Sequence, residues 1–384
     1  MEDKKEDCEM RVAIITLPLH TNYGGLLQAY ALKKCIEALG HSVDVIDRKC
    51  KMVLTPSWKM PLVYLKRALL NLKPGGPEIF RERRILREYP LVSAQLSGFV
   101  SEEISPRMVD SYIEIGPEDY DAFVVGSDQV WRPKYFGRIE DAFLDFTSLW
   151  DVRRVSYAAS FGTDHLEYEF EQLYKCSSLL SAFDAVSVRE ASAVRMCDEW
   201  FDREDAVHVL DPVMLLTAEH YSQLAGLSSY RPCKGKILSY VLDPDNSKEY
   251  ILRRVEEWFG KEVHNAYVSD RDRNIPLEDR VVPPIRQWLS CFADAEFVVT
   301  DSFHGCVLSV LFHKPFIVLA NPGRGMSRIL SLLESLGLDD RIVQGLDPED
   351  DGEYYLSGID WDGVDARLSE MKEKSMDFLR NALK

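Results

Sequence analysis

The sequence predicts a two-domain α/β protein built on parallel sheets, and three observations carry that expectation. Short apolar runs alternate with longer amphipathic stretches along most of the chain, the pattern of repeated βαβ units. At 384 residues the chain is longer than one typical core. Polar residues gather where the apolar runs end, which is where open α/β sheets bind ligands.

Residues 11–17 read as a buried strand, Asn22-Tyr23-Gly24-Gly25 as a tight turn, residues 26–39 as a helix stopped by Gly40, and residues 43–47 as a second strand. The glycines lack the G-x-G-x-x-G spacing, so as a phosphate signal they are weak and backbone geometry explains them equally. Residues 121–125, 155–159 and 185–188 are the next strands, and a helix through Trp200 follows the last. Beyond a junction near Asp211-Pro212 the alternation resumes: strand 236–242, helix 247–259, strand 262–268, helix 284–293, a strand ending at Thr300, and strand 315–320. A final amphipathic helix over 363–382 has no strand after it and is free to fold back on the first domain. The expected organisation is a first domain at 11–211, a second at 212–345 and a tail with a helix at 346–384.

Composition narrows the function. The 46% hydrophobic and 28% charged content is that of a folded soluble protein. No stretch reaches the ~18 consecutive apolar residues of a membrane span, and the N-terminus lacks the core of a secretory signal, so a cytoplasmic location is expected. The eight cysteines are scattered with no C-x-x-C pair, which suggests neither a metal site nor a disulfide framework. A net charge of −17 argues against nucleic-acid binding, which rests on phosphate neutralisation by Lys and Arg. Against that background, residues 59–88 carry eight basic and three acidic side chains interleaved with Leu62, Val63, Leu65, Leu69, Leu70 and Leu72. Such a helix suits contact with the inner face of the cell membrane or with an acidic partner; packed on its own domain it would be an ordinary surface helix.

The chemistry concentrates at strand ends. Residues 297–305 form an apolar run turning at Asp301-Ser302 into a helix, which puts His304 in the first helical turn. Unpaired N–H groups and the helix dipole make that turn a site for an anion, and a histidine there can hydrogen-bond the anion or pass it a proton. Read alone, the elbow is also consistent with a capped helix and a buried histidine. Gly126-Ser127-Asp128-Gln129-Val130-Trp131, Ser160-Phe161-Gly162 and Arg189-Glu190 mark three further strand ends.

Taken together, residues 22–32, 125–131, 156–162, 186–190 and 300–305 resemble the motifs of the polysaccharide pyruvyl transferases, over about 11–341. The resemblance implies two Rossmann-like domains facing a cleft, similar to the GT-B fold. It also implies transfer of a pyruvyl group from phosphoenolpyruvate, as co-substrate and with no cofactor, to a hydroxyl pair of a saccharide or lipid-linked oligosaccharide, forming a ketal and releasing phosphate. The family's donor motif commonly reads Arg-Leu-His, and here it reads Ser302-Phe303-His304. The missing cation can come from Arg324 or Arg328.

On this reading His304 contacts phosphate or donates a proton, and Asp128 is the base on the acceptor side. Arg189, Ser302, Gly305, Arg324 and Arg328 bind the donor, since arginine grips carboxylate and phosphate bidentately. Asn22, Gly24, Gly25, Gln129, Trp131 and Ser160 face the acceptor, with Trp131 stacking on the sugar. Asp128 as a turn residue, Trp131 as core and Arg189 as a structural ion pair are the plain alternatives. At the level of the whole protein the alternatives are a glycosyltransferase using a nucleotide sugar, or a sugar-phosphate-binding protein without catalysis.

Overall fold

The computed structural model describes residues 9–48, 59–72, 77–226, 231–270, 272–321, 325–345, 352–356 and 358–384. Two all-parallel sheets organise the chain. The first contains β1 (Arg11–Ile15), β2 (Ser42–Arg48), β3 (Arg107–Val109), β4 (Ala122–Asp128), β5 (Arg153–Ala159), β6 (Ala185–Val188) and β7 (Val207–His208), in the order β3-β2-β1-β4-β5-β6-β7. The second contains β8 (Ile237–Tyr240), β9 (Val263–Asn265), β10 (Phe297–Thr300), β11 (Phe316–Leu319) and β12 (Ile342–Val343), in the order β12-β11-β10-β8-β9. Strands such as β10 (FVVT) and β11 (FIVL) are buried along their whole length. Helices cover both sheet faces, so these strands read as continuous apolar runs. Strand order reverses between β1 and β4 and between β10 and β8, and those two switch points fix where ligand crevices open.

The helices are α1 (Tyr23–Ala38), α2 (Met60–Leu70), α3 (Arg81–Val92), α4 (Ala94–Phe99), α5 (Phe170–Leu180), α6 (Ala191–Phe201), α7 (Ala218–Ala225), α8 (Asn246–Phe259), α9 (Ile285–Asp294), α10 (Phe303–Leu311), α11 (Met326–Leu336), α12 (Glu353–Leu356) and α13 (Trp361–Ala382). Among the described residues no helix is long and apolar enough to cross a membrane. The tight turn expected at Asn22-Tyr23-Gly24-Gly25 is instead the start of α1: Asn22 caps it, its Oδ1 accepting from the Gly24 N–H at 3.1 Å. A capping side chain replaces the missing backbone partner, and that lets two glycines stand in a first helical turn. β4 also runs past the expected end at Val125 to Asp128. β3, β7 and β12, two or three residues each, give no periodic signal of their own.

The two halves share one core. A single apolar cluster runs through Val12, Leu210, Tyr221, Trp288, Phe303 and Leu379. Tyr23, at the start of α1, stacks on Trp288 with ring centroids 4.7 Å apart, and its hydroxyl donates to the Pro283 carbonyl at 2.7 Å. That contact sets the N-terminus of α1 against the second sheet. The final helix α13 returns to the first sheet, where Ser375 Oγ accepts from the Leu210 N–H at 3.0 Å and Arg153 donates to the Ala382 carbonyl at 3.1 Å.

Candidate active site

Side chains from the ends of three strands of the first sheet converge below the start of α10. Arg189, just past β6, donates from one terminal nitrogen to Asp211 Oδ2 at 2.7 Å and from the other to Asp128 Oδ1 at 3.1 Å. All three are buried. Asp128 ends β4 with φ of 71°, which swings its carboxylate back toward Arg189. Asp211 caps the turn that follows β7, its Oδ1 accepting from the Val213 N–H at 2.9 Å, while Ser127 Oγ donates to Oδ2 at 3.3 Å. Burial pushes both carboxyls up, yet the surrounding positive groups outweigh it and both lie below the usual range. For Asp211 those groups are His304 and Arg189; for Asp128 they are Arg189, His304 and Arg328. Both therefore stay ionised at neutral pH.

His304 closes the array from the second half. It is the second residue of α10, whose N-cap Ser302 accepts from the Gly305 N–H at 3.5 Å. Thr300 Oγ1 accepts from the Ser302 N–H at 3.1 Å and donates to the Tyr240 carbonyl at 2.7 Å, fixing the elbow at the switch between β10 and β8. The imidazole Nε2 lies 3.7 Å from Asp211 Oδ2, outside hydrogen-bonding reach, and no hydrogen-bond partner occupies it among the described residues. On its other side the ring presses on α1: a Cβ placed on Gly24 would stand 2.0 Å from Nδ1. Two helix N-termini, one from each half, thus meet at one buried imidazole. Both are positive ends with N–H groups to offer, so the junction suits an anion.

Arg328 of α11 adds a second guanidinium. Its Nη1 is 3.9 Å from Asp128 Oδ1, and burial together with the nearby Arg189 brings its pKa down to about 10. Arg189 and Arg328 both lie over the Phe303 ring, at 4.8 Å and 5.7 Å from its centroid, as cation–π partners. Glu190 is fully buried; its Oε1 accepts from Ser160 Oγ at 2.9 Å and from the Phe161 and Gly162 N–H groups, and burial raises its pKa. Two openings lie near this array without including its charged side chains in their walls. One of about 480 Å³ runs between α6 and α11 past Gly162, His165, Arg195 and Gly325, and one of about 320 Å³ lies beside Asn22, Tyr240 and Asp270.

The structure brings His304, Asp128, Arg189, Arg328 and Gly24 together and gives several expected residues different work. Trp131 is fully buried, stacks on Phe143 at 5.1 Å and donates its indole N–H to the Ala142 carbonyl, so it is core and cannot meet a sugar. Asp128 is less suited to the expected role of base, because Arg189 holds it and keeps its carboxyl ionised and weakly basic. Ser302 and Asn22 spend their side chains on helix caps. Ser160 serves Glu190, and Gln129 accepts from Arg132 at 3.2 Å while packing against Gly162. Gly25 presents its carbonyl to Gln28 Nε2 at 2.9 Å, and Gly305 lies against Thr300. Arg324 falls outside the described residues.

Glu190 and Phe303 stand in the strand-end motifs without a role of their own, and Asp211 carries no site signal: Asp211-Pro212 reads as a junction, and only the approach of α10 turns it into part of a site. Cys233, His264 and Cys291 likewise come within 4.8 Å of one another in the second half, a three-ligand group that their separation in sequence hides.

The polysaccharide pyruvyl transferase family matches residues 22–323. The chain belongs to that family. The match contains Gly24, Asp128, Arg189, Asp211 and His304, while Arg328 of this pyruvyl transferase homologue lies just beyond it. No curated protein matches the sequence. Among solved structures the chain is similar to Arabidopsis thaliana UGT89C1 complexed with UDP-L-rhamnose, at 10% identity and a TM-score of 0.52 over 98% of this chain and 99% of the other. It is also similar to the UDP-N-acetylglucosamine 2-epimerase of Rickettsia bellii, at 9% identity and a TM-score of 0.50 over 98% and 97%. At such identity the likeness is one of fold, and the fold is of the GT-B type, with the two parallel sheets of seven and five strands opening on one cleft.

Proposed function

We propose that this family member transfers the pyruvyl group of phosphoenolpyruvate to a hydroxyl pair of a polysaccharide precursor, forming a cyclic ketal and releasing phosphate. The supporting observation is the single buried imidazole, unpartnered at Nε2, set between two helix N-termini and beside two arginines. Phosphoenolpyruvate carries a phosphate and a carboxylate into a chain of net charge −17, so positive ends must be concentrated where it binds. The starts of α1 and α10, with Arg328, supply them. Arg189, locked between two carboxylates, positions the floor of the site. Arg324 is a further donor contact on this reading.

In the reaction the methylene carbon gains a proton and becomes the methyl group. The first hydroxyl adds to the neighbouring carbon, the bond from that carbon to the phosphate oxygen breaks, and the second hydroxyl closes the ring. Two hydroxyl protons are released; one balances the methyl group and the other leaves with phosphate. On this reading His304 gives the first proton and then takes one from the attacking hydroxyl.

The test is to incubate the purified protein with phosphoenolpyruvate and saccharide acceptors, following phosphate release together with the NMR methyl signal of the ketal. A titration of thermal stability runs alongside, because a ligand of the native state raises it as ln(1 + [L]/Kd). Stabilisation by a nucleotide sugar and none by phosphoenolpyruvate, with no phosphate released, would overturn the proposal.

A further inference from the structure

The face formed by α2 and α3 is unlike the rest of the surface. Leu62, Leu65, Leu69 and Leu72, at helical spacing, are 67%, 59%, 61% and 82% exposed, and Leu70, Phe80, Leu86 and Leu91 join them. Eight of the seventeen exposed large apolar residues of the described chain fall within 62–91, so their clustering is not the usual scatter of surface leucines. The two helices form one unit: Arg67 bonds Glu82 bidentately at 2.8 and 2.7 Å, and Tyr64 meets Phe80 edge-on with centroids 4.9 Å apart. On the same surface Lys66 and Arg81 are exposed and enter no ion pair among the described residues, and the exposed Arg83 lies over the Tyr64 and Phe80 rings at 5.9 and 5.5 Å, in a chain whose net charge is −17.

We infer that this face seats the protein on an anionic lipid bilayer, its leucines entering the acyl boundary and its basic side chains meeting the headgroups. The mixture of a leucine stripe with exposed cations outside any ion pair favours that occupant over a second copy of the same apolar and basic face, which would set cation against cation. The position fits as well. α3 reaches the cleft, where Glu88 pairs with Arg280 at 2.9 Å and the Val92 carbonyl accepts from the Val282 N–H at 2.9 Å. A groove of about 400 Å³, lined by Leu19, Tyr89, Leu96, Val100 and Met108, leads from α3 to the loop after β1. A bilayer on this face therefore lies beside the cleft mouth, where an acceptor carried on lipid would enter.

The full chain is mixed with vesicles of phosphatidylglycerol or of phosphatidylcholine, and bound protein is measured by flotation. Binding to phosphatidylglycerol that falls as salt is raised, with little binding to phosphatidylcholine, is expected. Leu69→Asp should lower it roughly tenfold or more, by loss of apolar burial. Lys66→Ala and Arg81→Ala should each lower it roughly fivefold, at about one basic side chain's worth of headgroup attraction. Circular dichroism must show each variant folded. Absence of binding, equal binding to both lipids, or a gel-filtration dimer that Leu69→Asp turns into a monomer would each overturn the inference. Phosphate release from phosphoenolpyruvate with a soluble saccharide is assayed in parallel: lipid binding without transfer would leave the surface standing and remove only the proposed reaction.

Discussion

His304 is held by packing on one side and left without a hydrogen bond on the other, and the two sides can be tested apart. His304→Ala should abolish pyruvyl transfer, a loss of at least ~10²-fold for an acid–base group, with an unchanged circular dichroism spectrum. Gly24→Ala is more telling. Alanine ordinarily favours a helix over glycine by about 1 kcal/mol, but here its methyl would sit 2.0 Å from His304 Nδ1 and push the ring off the site. Transfer should therefore fall nearly as far as in His304→Ala although the protein melts at a similar temperature; wild-type turnover in Gly24→Ala would mean that the ring's position does not matter. Asp211→Asn tests the floor. Its carboxyl is depressed in the folded state, so the stability it contributes is present above the unfolded carboxylate value of about 4 and is lost as pH falls below that. The variant should lose roughly 3 kcal/mol at neutral pH, because Arg189 keeps only Asp128, and its stability should vary less with pH below about 4 than that of wild type. Equal acid sensitivity in urea melts at pH 3 and pH 7 would argue against the ion array.

At the scale of elements, the elbow between β10 and α10 was legible from sequence because a fully buried strand and an N-cap each leave a local pattern: four apolar residues, then Asp301-Ser302 before a second apolar run. The start of α1 has the sequence of a turn for a related reason. Glycine pairs signal turns by their own freedom, and only the Asn22 cap makes them helical. Trp131 shows the limit of such reading, since an aromatic side chain at a strand end has the same sequence whether it faces a sugar or the core. Trp131→Ala should cost roughly 3–5 kcal/mol of stability, the cavity value for a buried aromatic, and leave acceptor KM of the folded fraction unchanged. A raised KM with normal stability would return Trp131 to the acceptor site.

For the whole molecule, the apolar cluster that joins Val12, Trp288, Phe303 and Leu379 means that the two halves bury surface against each other rather than through a linker. Scanning calorimetry should show one cooperative transition for the full chain; two resolved transitions would mean that the shared core contributes little. The sequence by itself determined the alternation of strands and helices, the polar strand ends and the place of His304 in a first helical turn, because each depends on residues within about one helical turn or one strand of each other. Tertiary structure alone decided that Asp211 faces His304, that Gly24 and not a side chain meets the imidazole, that Trp131 is core, and that the leucines of α2 are left outside. Each of those is a contact, or a missing contact, between segments far apart in the chain, and no local period encodes which distant side chain will arrive.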